Sequence, residues 1–303
     1  MTSINKVHLF YILITIISLL SAGLFYFSGA RYDSSAGLVL AIFYMFIPTI
    51  ATLIIEKGIH KEKNIKDKLL ISFKLNKWFL VAWLIAPIMA FATIGVSLLL
   101  FDVTYSPGME GMLERFETIL TQEEMQEIKE SLDEMPINPL FIMLFQGLIA
   151  GITVNAIAGF GEELGWRGFL VRQFEKQKFL KVALITGFVW GIWHSPIILM
   201  GHNYPEYPVL GVFMMTAWCI LLSPLFLYIT LKAKSVIAAA ILHGTLNATA
   251  GLSIITLQGG SELTIGLTGL AGFMTVALFT LILFLYDKYV TKEQIMTKII
   301  TLD

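Results

Sequence analysis

Eight times along its 303 residues the chain runs through about 20 consecutive apolar residues, at 9–28, 36–55, 78–101, 139–160, 182–200, 209–231, 236–256 and 265–286. As a helix, each run is long enough to cross a hydrocarbon core of about 30 Å. No other feature constrains the fold as strongly. The chain reads as a single all-α membrane domain over 1–303, polytopic, with about eight transmembrane helices. Composition agrees: 14% of residues are charged and 56% hydrophobic, against about a quarter charged in a soluble domain.

The charges are sorted. Loops that alternate along the chain carry Lys57, Lys61, Lys63, Lys66, Lys68, Lys74 and Lys77, then Arg167, Arg172, Lys176, Lys178 and Lys181, then Lys232 and Lys234, then Lys288, Lys292 and Lys298. With Lys6 this puts 18 of the 21 basic residues on one side, leaving Arg31, Arg115 and Lys129 on the other. The positive-inside rule then places both termini in the cytoplasm and requires an even number of spans. A cleaved signal peptide over the first span is the competing reading. The apolar run continues through Phe25, Tyr26 and Phe27, and removing it would leave an odd count, so an anchor is expected. The single cysteine, Cys219, allows no intrachain disulfide. Nothing in the composition suggests nucleic-acid binding; the expected partners are membrane lipids. Short loops and a compact chain suggest a prokaryotic plasma membrane.

One insertion, 102–138, stands outside the spans and is expected on the extracytoplasmic side. It holds ten acidic and two basic residues. Met109, Met112, Leu113, Phe116, Ile119 and Leu120 recur at helical spacing, and "TQEE" at 121–124 reads as a capping box opening a second amphipathic helix. The seventh span, "VIAAAILHGTLNATAGL", is rich in small residues, which let helices approach closely in lipid. It belongs in the middle of the bundle.

Three places set strongly polar groups within spans: Glu162, Glu163 and Arg167; "WGIWH" ending at His194; and "HGTLN", His243 to Asn247. Ionisable groups at membrane depth point to function. Counting helical rise from the flanking basic residues puts His194 about 20 Å, His243 about 14 Å and Glu162 about 15 Å deep, a common depth reached from the lysine-rich side. A straight helix over 139–176 would be about 57 Å long, so a break near Gly159 or Gly161 is expected. Glu163 and Arg167, four apart, can pair on one face. That leaves Glu162 free to take a proton from water, with His243 and Asn247 aligned to stabilise an oxyanion. Glu162, His194 and His243 are alternatively candidate ligands for a divalent metal such as zinc, which would acidify a bound water. Trp166, Trp190 and Trp193 can line a substrate groove or simply pack. His8, His60 and His202 fall in loops or at interfaces and read as solvated.

"EELGWR" at 162–167 resembles the EExxxR signature of the CPBP membrane proteases, the CAAX prenyl endopeptidase and bacteriocin-processing family. Trp190-x-x-x-His194 is similar to that family's FxxxH motif, with Trp in place of Phe, and His243-x-x-x-Asn247 matches HxxxN. The resemblance covers 139–256 and implies a catalytic core there, a four-helix bundle. It implies that Glu162 is the general base and His194 its partner in activating water. His243 and Asn247 would stabilise the oxyanion, with Glu163 and Arg167 as structural support. The implied activity is intramembrane cleavage of a hydrophobic or lipid-modified peptide near the cytoplasmic face, with no cofactor or with a metal. Two other classes fit the residues: a transporter or proton relay built on the buried Glu and His, and a non-catalytic scaffold or immunity protein. Asn247 favours the hydrolase, because a proton relay does not need it.

Overall fold

A computed structural model describes residues 5–109, 111–113 and 121–302. The fold is that of an all-α polytopic membrane protein. Its long helices are α1 (Lys6–Phe27), α2 (Ser35–Leu53, continuing as a π-helical stretch Ile54–Ile59) and α3 (Lys77–Ser97). After α4 (Gln122–Asp133) come α5 (Pro139–Ile152) and α6 (Val154–Glu163), then α7 (Phe179–Trp193), α8 (Pro208–Ala233), α9 (Val236–Thr249) and α10 (Leu270–Leu285). Among the described residues seven helices are long and apolar enough to cross a membrane alone. The α5–α6 pair, bent by 49°, makes the eighth when counted as one span.

Local chemistry sets where spans begin. Asn5, Ser34, Asn76, Asn138 and Ser235 each cap the first turn of a helix by accepting a backbone N–H two or three residues on, and Pro139 at the first position of α5 has no N–H to leave unpaired. The capping box at Thr121 is present, with both the Thr121 side chain and the Glu124 side chain bonding reciprocally to start α4. The expected preceding helix lies mostly outside the described residues. The bend between α5 and α6 falls at Thr153, not at Gly159 or Gly161. Thr153 leaves helical geometry at φ -117°, ψ -104°, and its hydroxyl bonds back to the Ile149 carbonyl at 2.7 Å.

Those glycines serve packing instead. A Cβ on Gly159 would stand 2.8 Å from the Ala240 carbonyl oxygen and 3.0 Å from the His243 Cβ, and one on Gly161 would stand 2.7 Å from the Met45 carbonyl oxygen. α9 is the most buried of the spanning helices, as its small residues predict. Gly244 lets α6 approach so closely that a Cβ there would lie 2.4 Å from the Ala156 amide nitrogen. Large apolar side chains such as Leu20, Leu24, Val39, Phe145 and Leu281 stay exposed on the outer faces of the bundle, a surface suited to lipid.

The two ends of the bundle are stitched differently. At one, Lys6 and Lys68 both bond the fully buried Glu56 at 2.8 Å, Arg172 donates to the Lys68 carbonyl at 2.8 Å, and the Val236 amide donates to the Leu70 carbonyl at 2.9 Å. The C-terminal strand-like segment joins the same end through Lys176 N–H to Ile300 and Phe179 N–H to Lys298 carbonyls, both 2.9 Å. At the other end, a two-stranded antiparallel sheet pairs β1 (Val103–Tyr105) with β2 (Leu257–Gly259) in the register Val103↔Gly259. There the Tyr204 hydroxyl donates to the Thr268 carbonyl at 2.7 Å, and Glu262 accepts from the Glu206 and Tyr207 amides at 3.0 Å each.

The close α6–α9 contact makes a stability prediction. Gly244→Val is expected to cost about 1–3 kcal/mol through overpacking, read as a lowered melting midpoint in detergent. Gly95→Ala, where an added Cβ meets nothing within 4 Å, is expected to leave the midpoint unchanged or slightly raised.

Candidate functional site

The α6 helix ends on Glu162 and Glu163 and passes directly into the π-helical stretch Leu164–Leu170, which carries Arg167. π-helical turns recur at functional sites. Here the wider turn holds two carboxylates and a guanidinium, all buried, Glu163 at 0% and Arg167 at 1% exposure. Arg167 Nη1 donates to Glu163 Oε1 at 3.2 Å, the i,i+4 pair that the spacing predicts. Arg167 Nη2 also reaches Ser223 Oγ at 3.4 Å, and the guanidinium carbon lies 4.4 Å from the Trp190 ring centre and 4.5 Å from that of Phe226. An aromatic sandwich partly replaces the solvation that the cation has lost.

Glu163 does more than pair with Arg167. His243 Nδ1, on α9, lies 2.8 Å from Glu163 Oε1. A carboxylate only accepts, so Nδ1 donates and the ring is fixed with Nε2 turned to Glu162, 3.7 Å from Oε1. That separation is beyond a direct hydrogen bond; an oxygen placed beside the pair can bond both. Glu162 is not free, as its angular offset from Arg167 had suggested. Its Oε2 accepts from Trp190 Nε1 at 2.7 Å and from Trp166 Nε1 at 3.4 Å. The indoles hold one carboxylate oxygen and leave Oε1 facing His243.

At the end of α7, His194 Nδ1 lies 2.8 Å from the Trp190 carbonyl. Nδ1 must therefore carry the proton, which leaves Nε2 as an acceptor. Trp193 Nε1 donates to Ser18 Oγ at 2.8 Å, and its carbonyl accepts from the Tyr44 hydroxyl at 2.8 Å. Asn247 stands one turn along α9 from His243, exposed within the cavity.

Glu162, His194, His243 and Asn247, from three helices, all line one cavity of about 720 Å³, together with Trp190 and Trp193. His202, expected to be solvated, lines it too. Its ring stacks parallel to His194, 6.4 Å between centres, and its Nδ1 lies 3.0 Å from the Tyr32 hydroxyl. Burial pushes the His202 imidazole down to about 4, so the ring is neutral at neutral pH. No local pattern marks His202, because its place comes from the fold of the 199–207 loop. Tyr44, likewise, acts on the site from a helix whose hydropathy gives no hint of it.

The cavity's mouth corrects a second expectation. Its outer lining is His202, Asn203, Pro205 and Glu206 from one loop and Gly260, Ser261 and Glu262 from another. Both belong to the end bearing the β1–β2 sheet, opposite the lysine-rich end from which rise counting had placed the entrance. Equal depth was legible; the direction of opening depends on which loops close and which splay.

The zinc alternative does not fit this geometry. Among the described residues no group of three or more His, Cys, Asp or Glu side chains is placed to hold a metal ion. His243 Nδ1 and Glu162 Oε2 are already bonded to protein groups, which leaves one ligating atom on each.

Comparison with known proteins agrees with the three motifs. Residues 138–249 match the sequence profile of the family described as type II CAAX prenyl endopeptidase Rce1-like. The segment holding the three motifs is thus similar to that family. A curated relative, the CAAX prenyl protease 2 of Methanococcus maripaludis, is 31% identical over 102 residues, which is 31% of this chain and 37% of that protein. The chain thus matches little more than a third of the relative's length.

The Arg167–Glu163–His243 arrangement predicts that Arg167→Met, which strands the buried Glu163, costs about 3–5 kcal/mol. Arg167→Lys is not expected to restore it, since an ammonium cannot span Glu163 and Ser223 between two rings. Denaturation of the purified variants in detergent checks both.

Proposed function

We propose that this protein is an intramembrane endopeptidase that hydrolyses a peptide bond of a membrane-associated peptide, with Glu162 activating the water. The observation that carries the reading is the shared cavity: one carboxylate with a single oxygen left unbonded, two imidazoles and a carboxamide, on three helices within apolar surroundings.

The chemistry follows from the tethers. Trp190 and Trp166 hold Glu162 Oε2, so Oε1 receives a proton of the attacking water. His194, with Nδ1 committed to the Trp190 carbonyl, offers Nε2 as a second acceptor that orients this water. The water oxygen adds to the substrate carbonyl, and the developing oxyanion is stabilised by the Asn247 carboxamide N–H groups. Glu162 then returns its proton to the amide nitrogen, the C–N bond breaks, and a carboxylic acid and an amine form, which pass one proton between them and leave as carboxylate and ammonium. Glu163 and Arg167 fix the tautomer and orientation of His243 and touch no reacting atom. The 139–256 segment is the catalytic core, and 102–138 an extramembrane cover. By the positive-inside rule both termini are cytoplasmic in a prokaryotic plasma membrane. The relative's name denotes a protease of prenylated proteins; for this chain a lipid-modified or otherwise membrane-anchored peptide is the substrate class. A transporter reading lacks support, because Asn247 and the tethered Glu162 suit hydrolysis and a proton relay needs neither.

Glu162→Gln is expected to slow cleavage at least about 100-fold as the loss of a general base, and Asn247→Ala about 10²–10³-fold as the loss of an oxyanion donor. Trp190→Phe, which keeps the ring and removes the N–H on Glu162, is expected to cost about 10–100-fold, as for a hydrogen bond to a charged group. Cleavage of a quenched-fluorophore peptide library by purified variants reads all three. An unaltered rate in Glu162→Gln removes this mechanism, and inhibition by a chelator that zinc reverses would return the metal alternative.

A further inference from the structure

The loop after α7 holds one side chain, His202, against the cavity. Gly201 and Asn203 on either side of it have positive φ, 105° and 60°. Glycine takes up such a conformation without steric cost, and asparagine is among the few other residues that tolerate it. The turn is pinned on both sides: the His202 amide donates to the Ile197 carbonyl at 3.1 Å, and the His202 carbonyl accepts from the Tyr204 amide at 2.7 Å. Uncommon backbone conformations that the surrounding structure over-determines cluster at functional sites. The imidazole so placed lies parallel to His194, 6.4 Å between ring centres, and lines the same cavity as Glu162, His243 and Asn247.

Its hydrogen-bonding role follows from Tyr32. The Tyr32 hydroxyl, in the loop between α1 and α2, lies 3.0 Å from His202 Nδ1. Burial pushes the phenol up to about 12, so it keeps its proton, and among the described residues it makes no other hydrogen bond to protein. A neutral imidazole has one N–H and one acceptor nitrogen. With the phenol donating to Nδ1, the imidazole proton sits on Nε2, which has no protein partner among the described residues. A proton on Nδ1 instead would leave the phenol O–H without a protein acceptor, the costlier arrangement. The two parallel rings then differ in kind. His194, with Nδ1 given to the Trp190 carbonyl, presents an acceptor to the cavity, and His202 presents a donor. A donor does not help to take a proton from water. A peptide drawn out of water, however, carries main-chain carbonyls that need donors.

We propose that His202 is a substrate-binding residue: its Nε2–H donates to a main-chain carbonyl of the bound peptide beside the scissile bond, and Tyr32 is the positioning residue that sets the required tautomer. This rests on the hydrolytic reading above. Such a contact holds substrate and transition state alike, so it lowers KM and leaves kcat nearly unchanged.

KM and kcat of wild type, His202→Phe, His202→Gln and Tyr32→Phe, measured on one cleaved peptide from the quenched-fluorophore library, test the contact. His202→Phe keeps a flat ring beside His194 and removes the donor; His202→Gln gives up the ring and keeps an N–H of similar reach. For the loss of one neutral hydrogen bond, KM is expected to rise about tenfold in His202→Phe, to stay within about threefold of wild type in His202→Gln and to fall between them in Tyr32→Phe, with kcat changed less than about threefold throughout. Recovery by His202→Phe and not by His202→Gln would make the ring a packing element and overturn the proposal. Equal losses in both, or a fall in kcat at constant KM, overturn it too. A second measurement needs no substrate. Long-range proton–nitrogen spectra of histidine-labelled protein in detergent, with the His202 signal assigned by its loss in His202→Gln, are expected to show the Nε2–H tautomer in wild type and a mixture in Tyr32→Phe. An Nδ1–H tautomer in wild type overturns the proposal. No cleavage by the wild-type chain, with the Nε2–H tautomer present, rejects the hydrolytic reading and the substrate contact with it, and leaves the Tyr32 tether standing.

Discussion

A guanidinium with no access to water must be neutralised where it stands, and the interior of this bundle is organised around that requirement. Arg167 is buried between two aromatic rings and balanced by Glu163. Glu163 in turn fixes His243 at 2.8 Å. An ion pair placed this deep is weak evidence for stability, because desolvation offsets most of its attraction. Its value lies in geometry: with both partners committed, His243 has one orientation, and that orientation aims Nε2 at Glu162. The indoles of Trp190 and Trp166 do the same for Glu162 from the other side. Each of these two candidate groups is thus held by neighbours, the usual condition for an effective site.

Such a network requires backbones that come close. In lipid there is no hydrophobic force between helices, and contact depends on packing of small residues. The stripe Gly151, Gly159 and Gly244 brings α5, α6 and α9 to distances that any Cβ would block. The bend at Thr153 then turns α6 so that Glu162 and Glu163 arrive beneath His243, with the π-helical stretch carrying Arg167 behind them. The same bend explains how a segment too long for one straight crossing fits the bilayer.

Much of this was legible in the sequence, for identifiable reasons. Span number follows from hydropathy, the Glu163–Arg167 pair from i,i+4 spacing, the capping box at Thr121 from local chemistry, and the central place of α9 from its small residues. All four candidate side chains, Glu162, His194, His243 and Asn247, share the cavity because three in-order motifs sit at similar depth. What failed depended on tertiary arrangement. A helical wheel leaves Glu162 unpaired, since it cannot show indoles arriving from another helix and from the next turn. The kink was placed at glycines that serve packing. By sequence His202 is an ordinary loop residue, and rise along a helix gives depth but says nothing about which loops open.

The central claim is that side chains from separate helices act as one catalytic unit in a single cavity. A double-mutant cycle on peptide cleavage, combining Glu162→Gln with Asn247→Ala, tests it most directly. Groups that act together are strongly non-additive, so the double variant is expected to be about as slow as the slower single variant. Losses that multiply, as for two groups working independently, would contradict the account.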